Sequence, residues 1–266
     1  MAAIFDRVAD SYDQVGIPWF TPIAEALVRE AAPRPGEHAL DVGCGRGAAL
    51  FPLAAAVGPS GRVTGIDLAS RMVEATIAAT QARGLTQVDV RVADAGAPGL
   101  PASSFDLLVS SLVLFFLPDP AAALAGWRDL LVPGGRLAIS TFGARDPAWA
   151  SLDGIFGPYL PPQMLDARTT GASGPFASDA GVEALVASAG FRDMRTAALD
   201  VEAVFTDVDQ WRAWSWSHGQ RAMWEAVPDT DHAAVHAAAA AHLERCRADD
   251  GMIRLAQRAR FTLAAR

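Results

Sequence analysis

The chain contains no lysine: all 22 of its basic residues are arginine, set against 30 acidic residues, for a net charge of −8. Neither is there a run of arginines. Binding to nucleic acid phosphates needs a basic stripe, so nucleic acid is not expected as a partner. Cysteine is nearly absent too. Cys44 and Cys246 are the only two. They stand far apart and form no metal-ligand pattern or disulfide framework. A reduced, cytoplasmic setting is the default for such a chain. The residues after Met1 lack a basic stretch followed by an apolar one, so no signal peptide is expected. The longest strongly apolar run, residues 107–117, holds two serines and is too short to span a bilayer. The charged share is low, at 20%, while hydrophobic residues reach 51%. That balance excludes disorder and supports a packed core. At 266 residues the chain suffices for one large domain, or one with a substantial insertion.

Periodicity then orders the chain. Residues 4–13 and 20–32 have helical spacing, the second closed by Pro33 and Pro35. Short apolar strands are predicted at 39–42, 62–67, 88–93, 105–111 and 136–142. Helices are predicted between them at 48–57, 70–83 (capped by Ser70, with Gly84 at its end) and 120–131. Strand alternating with helix predicts a doubly wound α/β fold with a mostly parallel sheet. Unbroken apolar strands such as Leu107-Leu108-Val109 fit a sheet covered on both faces. Further on, a helix is predicted at 178–189, and strands at 191–205 and 252–263 that form an antiparallel edge. Residues 206–250 read as two helices, and 143–177, rich in glycine and proline, as a loop-dominated insertion. The expected organisation is an N-terminal helical lid over 1–35. A Rossmann-like core spans 36–142, 178–205 and 252–266. Insertions at 143–177 and 206–251 form a helical cap that binds the substrate. No internal repeat is present.

In a doubly wound sheet the ligand sits outside the carboxyl ends of the strands. There the first strand runs into Asp41-Val-Gly43-Cys44-Gly45-Arg-Gly47. The glycines allow a tight turn and close approach of backbone to ligand. Asp67 ends the second strand, where a carboxylate accepts from ribose hydroxyls, and Asp94 follows the third, at the height of an adenine edge. Glycine spacing alone also satisfies a dinucleotide fingerprint, so a nicotinamide-dependent oxidoreductase is the alternative. Asp41 separates the two, because a carboxylate beside the turn repels pyrophosphate and attracts an ammonium group.

These residues resemble the class I S-adenosylmethionine-dependent methyltransferases over about residues 1–142. Asp41 to Gly47 is similar to that family's first motif, Asp67 to its ribose-binding acid and Ala93-Asp94 to its adenine-edge position. Leu68 and Met72 stand where the family packs side chains on the adenine. Phe105-Asp106 and the Pro133-Gly134-Gly135 turn match later landmarks. Phe5, Ala9, Tyr12 and Asp13 resemble the N-terminal helix of the branch that includes ubiquinone and menaquinone biosynthesis enzymes. The resemblance implies that this helix lies over the cofactor and that Tyr12 faces it. Cys44, Ala95 and Ser110 complete the implied shell around S-adenosylmethionine.

After the fourth strand the chain reads Ser110-Ser111-Leu112-Val113, unlike the motif of enzymes that methylate amino groups of adenine or glutamine. No carboxylate cluster suggests a divalent metal, and His38, His232, His236 and His242 suggest none either. The acceptor is expected among aromatic side chains: Trp19, Phe20, Phe115, Phe116, Tyr159, Trp211 and Trp214, with His218. Each either lines the pocket or packs a core. Trp211 and Trp214 stand three apart and His218 four beyond Trp214, a spacing at which one helix face presents all three. His218 is the candidate general base, and Tyr12 a second candidate catalytic group. The expected activity is methyl transfer to O, N or C of a small aromatic or apolar metabolite, by a monomer or homodimer. A third reading keeps the cofactor without transfer, as a cyclase or a binding protein.

Overall fold

Residues 2–161, 164, 171 and 173–266 are described by the computed structural model. Seven strands form one sheet: β1 (His38–Val42), β2 (Arg62–Asp67), β3 (Val88–Val92), β4 (Phe105–Ser111), β5 (Leu131–Arg145), β6 (Arg192–Phe205) and β7 (Ile253–Ala265). Their order is β3-β2-β1-β4-β5-β7-β6. The first five strands pair in parallel. β7 pairs antiparallel with both β5 and β6, so it is the one reversed strand. The central strands β1 and β4 are buried almost throughout, as expected of strands covered on both faces. β6, at the edge, is largely exposed until Ala203 and Phe205.

Helices α2 (Phe20–Ala31), α3 (Leu50–Val57), α4 (Ser70–Ala82), α5 (Pro120–Leu130) and α7 (Asp179–Ser188) cover the sheet. Asp119 accepts from the Ala122 N–H with Pro120 at the first helical position, an ordinary start for α5. Ser70 does not cap α4 as the sequence suggested. Ala69 takes the cap position, and Asp6 from the N-terminal helix α1 (Ala2–Val8) accepts from the Arg71 N–H. A carboxylate from a distant segment thus meets the positive end of α4.

α1 stops at Val8, short of the expected end. Tyr12 N–H still donates to Val8 O, but Asp13 adopts a left-handed backbone with φ 56°. Its carboxylate then accepts from the backbone N–H groups of Trp19, Phe20 and Thr21 and from the Thr21 hydroxyl. The reversal starts α2, which has no cap of its own from Trp19.

The segment after β5 is not a simple loop. It holds α6 (Pro147–Phe156), whose Asp146 accepts from the Ala148 N–H. Residues 206–250 carry three helices rather than two: α8 (Val208–Trp216), α9 (Arg221–Glu225) and α10 (His232–Leu243). α10 packs on α6 and α8 beyond the sheet edge. Among the described residues no helix is long and apolar enough to cross a membrane.

Candidate active site

The carboxyl end of β1 leads straight into the glycine turn. Gly43, Gly45 and Gly47 all have positive φ. Gly43 has a second constraint: a Cβ there would lie 2.3 Å from a Val113 methyl. Gly45 differs, since a Cβ there would meet nothing within 4 Å. Open space therefore adjoins the turn at Gly45. The Gly45 N–H donates to Asp67 Oδ2 at 2.8 Å, and the Ala69 N–H to Asp67 Oδ1 at 2.9 Å. Asp67 thus joins the turn to the end of β2, keeping lone pairs for a ligand. Burial raises its pKa, and these amides oppose that rise.

Asp41 is 1% exposed, and neither carboxylate oxygen has a hydrogen-bond partner. Burial pushes its pKa up to about 8, the Asp67 charge adds to the rise, and the Leu50 backbone N–H, close by but outside hydrogen-bonding geometry, opposes it. An unpartnered buried carboxylate is costly, so a cation placed beside it gains what the protein leaves unsatisfied. Two acids at this turn, the buried Asp41 and Asp67 hydrogen-bonded to Gly45, suit a cationic ligand without phosphate. A pyrophosphate would be repelled.

Tyr12 stands within electrostatic reach of Asp67. Burial, then Asp13 and Asp67, raise its phenol well above its usual range. Its ring stacks on Phe20 at 4.6 Å and meets Phe5 edge-on at 6.1 Å. Phe5 also meets Phe116 at 5.9 Å, and Phe20 meets the His218 ring at 5.5 Å. His218 in turn lies 4.3 Å from Trp214. The result is a box of rings drawn from α1 and the turn after it, α2, the short 3-10 turn that follows β4, and α8 with the turn after it. Arg46, inside the glycine turn, donates to Ala9 O and fixes this box to the turn.

His218 is 7% exposed. Its Nδ1 accepts from the Gln220 N–H at 3.4 Å, while Nε2 is buried without a partner. Burial lowers its pKa to about 3.

The structure separates several residues that the sequence grouped. α8 ends at Trp216, with the Ser217 N–H donating to Trp214 O, so His218 lies in a turn and not on a face shared with Trp211. Trp211 turns instead to Trp224, 5.8 Å away. Tyr159 lies beside Asp231, outside the ring box. Phe115 is core, packed on Phe142 and Phe176. Trp19 is buried between Trp149 and Trp214. Met72 is covered by Val8 and Ala9, so it seats α1 rather than facing open space. Cys44 points its thiol at Gly65, leaving only backbone toward the turn. The Ser110 hydroxyl is spent on Val42 O at 2.9 Å, which ties β4 to β1. Leu68 is 52% exposed at the end of β2. Asp94 is exposed with Oδ1 accepting from the Gly96 N–H, and Ala95 O receives the Trp127 indole N–H. Ala93 packs partly buried beside them.

Other contributors escaped the sequence reading. Leu112 is buried with φ 59°, an uncommon conformation for a branched side chain, and its N–H donates to Ser140 Oγ. This kink delivers Val113 to the glycine turn. Gln220 leaves its Oε1 buried and unpartnered, and its amide nitrogen reaches Asp153, itself paired with Arg145. Only the Asp146-Pro147 pair, a helix-start signal, could have revealed the α6 that carries Asp153.

Comparison with known proteins agrees with this geometry. Residues 40–139 match the family described as "Methyltransferase domain". The chain is 37% identical to nocamycin O-methyltransferase of Saccharothrix syringae over 88% of this chain and 87% of that protein. It is 43% identical to aklanonic acid methyltransferase DauC of a Streptomyces species, over 61% of this chain and 74% of that protein. The fold resembles the crystal structure of the YcgJ protein from Bacillus subtilis, with TM-score 0.61 at 15% identity, covering 92% and 98% of the two chains. The chain belongs to the class I S-adenosylmethionine-dependent methyltransferases, and it uses that cofactor to methylate a small molecule.

Proposed function

We propose that the protein methylates an oxygen of a small, apolar or aromatic natural product held in the ring box. The observation that carries this reading is the unpartnered, buried Asp41 beside the open turn at Gly45, with the box directly attached through Tyr12 and Arg46. In this reading Asp41 receives the ammonium of the cofactor's amino-acid part and Asp67 its ribose hydroxyls. Leu68 and the 93–95 segment border its adenine. The relatives support this reading: one is named as the O-methyltransferase of nocamycin, the other as a methyltransferase of aklanonic acid.

The cofactor supplies a methyl group already activated by a sulfonium. What remains for the protein is alignment and exclusion of water. Phe5, Phe20 and Phe116, all part-buried, offer flat apolar surface for an acceptor, and α1 closes the box. Positioning of this kind is worth about 7–11 kcal/mol of barrier. α1 and α2 then serve as a lid, and α6 with α8–α10 as the acceptor-binding cap. The acidic, lysine-free surface supports a cytoplasmic enzyme of small molecules, working without nucleic acid as a monomer or homodimer.

Calorimetry with S-adenosylmethionine and with NAD is the first test; binding of the former alone is expected. A screen of acceptors with methyl-labelled cofactor is the second. A product heavier by one methylene supports transfer. Bound cofactor with product of unchanged mass overturns it.

A further inference from the structure

β3 lies at the sheet edge opposite β6, and among the described residues it pairs with β2 alone. In a parallel ladder, alternate residues turn both backbone groups to the same neighbour. Gln87 O accepts from the Val63 N–H, and the Ala93 N–H donates to Asp67 O, so residues 87, 89, 91 and 93 face β2. Val88, Val90 and Val92 therefore turn their backbone groups to the free edge. Of these, only the Val88 N–H goes back to a nearby carbonyl, that of Leu85. A row of such groups is a template for another chain.

The edge reads Val88-Asp89-Val90-Arg91-Val92. This sequence is its own complement when it meets itself antiparallel. We propose that β3 pairs antiparallel with β3 of a second copy of this chain, about a two-fold axis through Val90, joining the two seven-stranded sheets into one.

The backbone fits that register. In an antiparallel pair, residues with outward groups exchange hydrogen bonds, and the residues between them stand closer. Val90 meets the second copy's Val90, each N–H donating to the other's carbonyl. The Val92 N–H donates to the second copy's Val88 carbonyl, and the reverse. Asp89 then stands opposite the second copy's Arg91 at the close positions, where side chains interact most. Moving the axis to Asp89 or to Arg91 sets like charge against like. In the single chain these two side chains pair with each other, and both are more than half exposed. Pairing of strands exchanges that contact for one across the axis, so the charges select the register and the partner more than they add affinity.

The apolar surface agrees. Val92 is 53% exposed, unusual for a large apolar side chain here. Val88 and Val90 border a groove of about 390 Å³ with Ile77, Thr80 and Leu85. Opposite Val88, the second copy's Val92 is set at that groove and loses its exposure. A foreign strand would need the same alternation of valine, acid and base, which a second copy carries by construction. The paired stretch is only five residues long, so the dimer is a weak one, in the micromolar range. The pairing does not rest on how the acceptor binds.

Sedimentation equilibrium of the intact chain between about 5 and 500 µM should show this dimer. Asp89→Arg sets arginine against arginine and should weaken association about tenfold or more; Arg91→Asp sets acid against acid and should do the same. Mixed in equal amounts, the two variants complement each other and should associate within about threefold of wild type. The double variant, Asp89→Arg with Arg91→Asp, should dimerise as wild type does. Val92→Pro deletes an outward N–H that the β2 ladder does not use, and should also weaken association about tenfold or more. It carries the test if a charge variant fails to fold, as read by circular dichroism. A wild type that stays monomeric throughout the range overturns the proposal. So do folded charge variants or Val92→Pro associating as tightly as wild type, or a mixture no tighter than its components.

Discussion

The two halves of the proposed site are built in opposite ways. The proposed cofactor half, around Asp41, comes from short stretches at strand ends: one turn, one acid at the end of β2, one loop after β3. Its polar atoms are either held by neighbouring backbone amides, as in Asp67, or left without a partner, as in Asp41. The ring box has no such local logic. Phe5, Phe20, Phe116 and His218 come from four separated segments and meet only through packing. A binding site for a constant ligand can be written in one turn of chain. A site for a variable ligand is assembled from residues that are free to change independently.

That contrast is open to direct attack. The largest effect is expected at Asp41. Asp41→Ala should weaken S-adenosylmethionine binding at least hundredfold by calorimetry, since loss of one partner of a buried charge pair costs about 3–5 kcal/mol. A sign follows for pH. The carboxyl, ordinarily near 3.8, is raised to about 8 in the free protein, so the folded state keeps a proton that the unfolded chain has lost. Stability of the cofactor-free protein should therefore fall as pH rises from about 4 to 8, and Asp41→Asn should flatten that slope in thermal melts. Over the same window cofactor affinity should rise with proton release, visible as a buffer-dependent binding enthalpy.

Next in size is Gly43→Ala. Its Cβ would collide with Val113, in a left-handed backbone that alanine resists. A loss of about 1–3 kcal/mol is expected from the strain alone, with more from the collision. Adding Val113→Ala should recover only the collision part, as read by denaturant unfolding.

Phe20→Leu should sharpen the comparison from the other half. We expect acceptor KM to rise about three- to tenfold, from lost aromatic contact, while cofactor Kd stays within twofold. An equal change in both would mean that the halves are not separable.

The smallest effect is expected at the Arg7–Glu225 pair, 2.6 Å apart and 44% and 32% exposed at the side chains. Arg7→Ala should cost under about 1 kcal/mol of stability and should weaken with salt in the wild type.

Most of the sheet was legible in advance. Its strands announce themselves by apolar runs bounded by glycine and proline, and the glycine turn with Asp41 in front of it stands where the sequence set it, at the carboxyl end of β1. Three errors have physical causes. α1 ended early because Asp13 took a left-handed turn to cap α2, a contact invisible to periodicity. The 143–177 segment concealed α6 because glycine and proline outweighed the Asp146-Pro147 start signal. Trp211, Trp214 and His218 shared a face only on a helix longer than the one that forms, since Ser217 closes it.

The sequence by itself determined the strand–helix alternation, the glycine turn and the acids that flank it. Those depend on neighbours close in the chain and on residue types with few conformational options. Only the tertiary structure decided which aromatic rings meet and that Asp41 lies buried with no partner of its own. Those facts follow from desolvation and from contacts between distant segments, such as Phe20 with His218, and no local pattern encodes them.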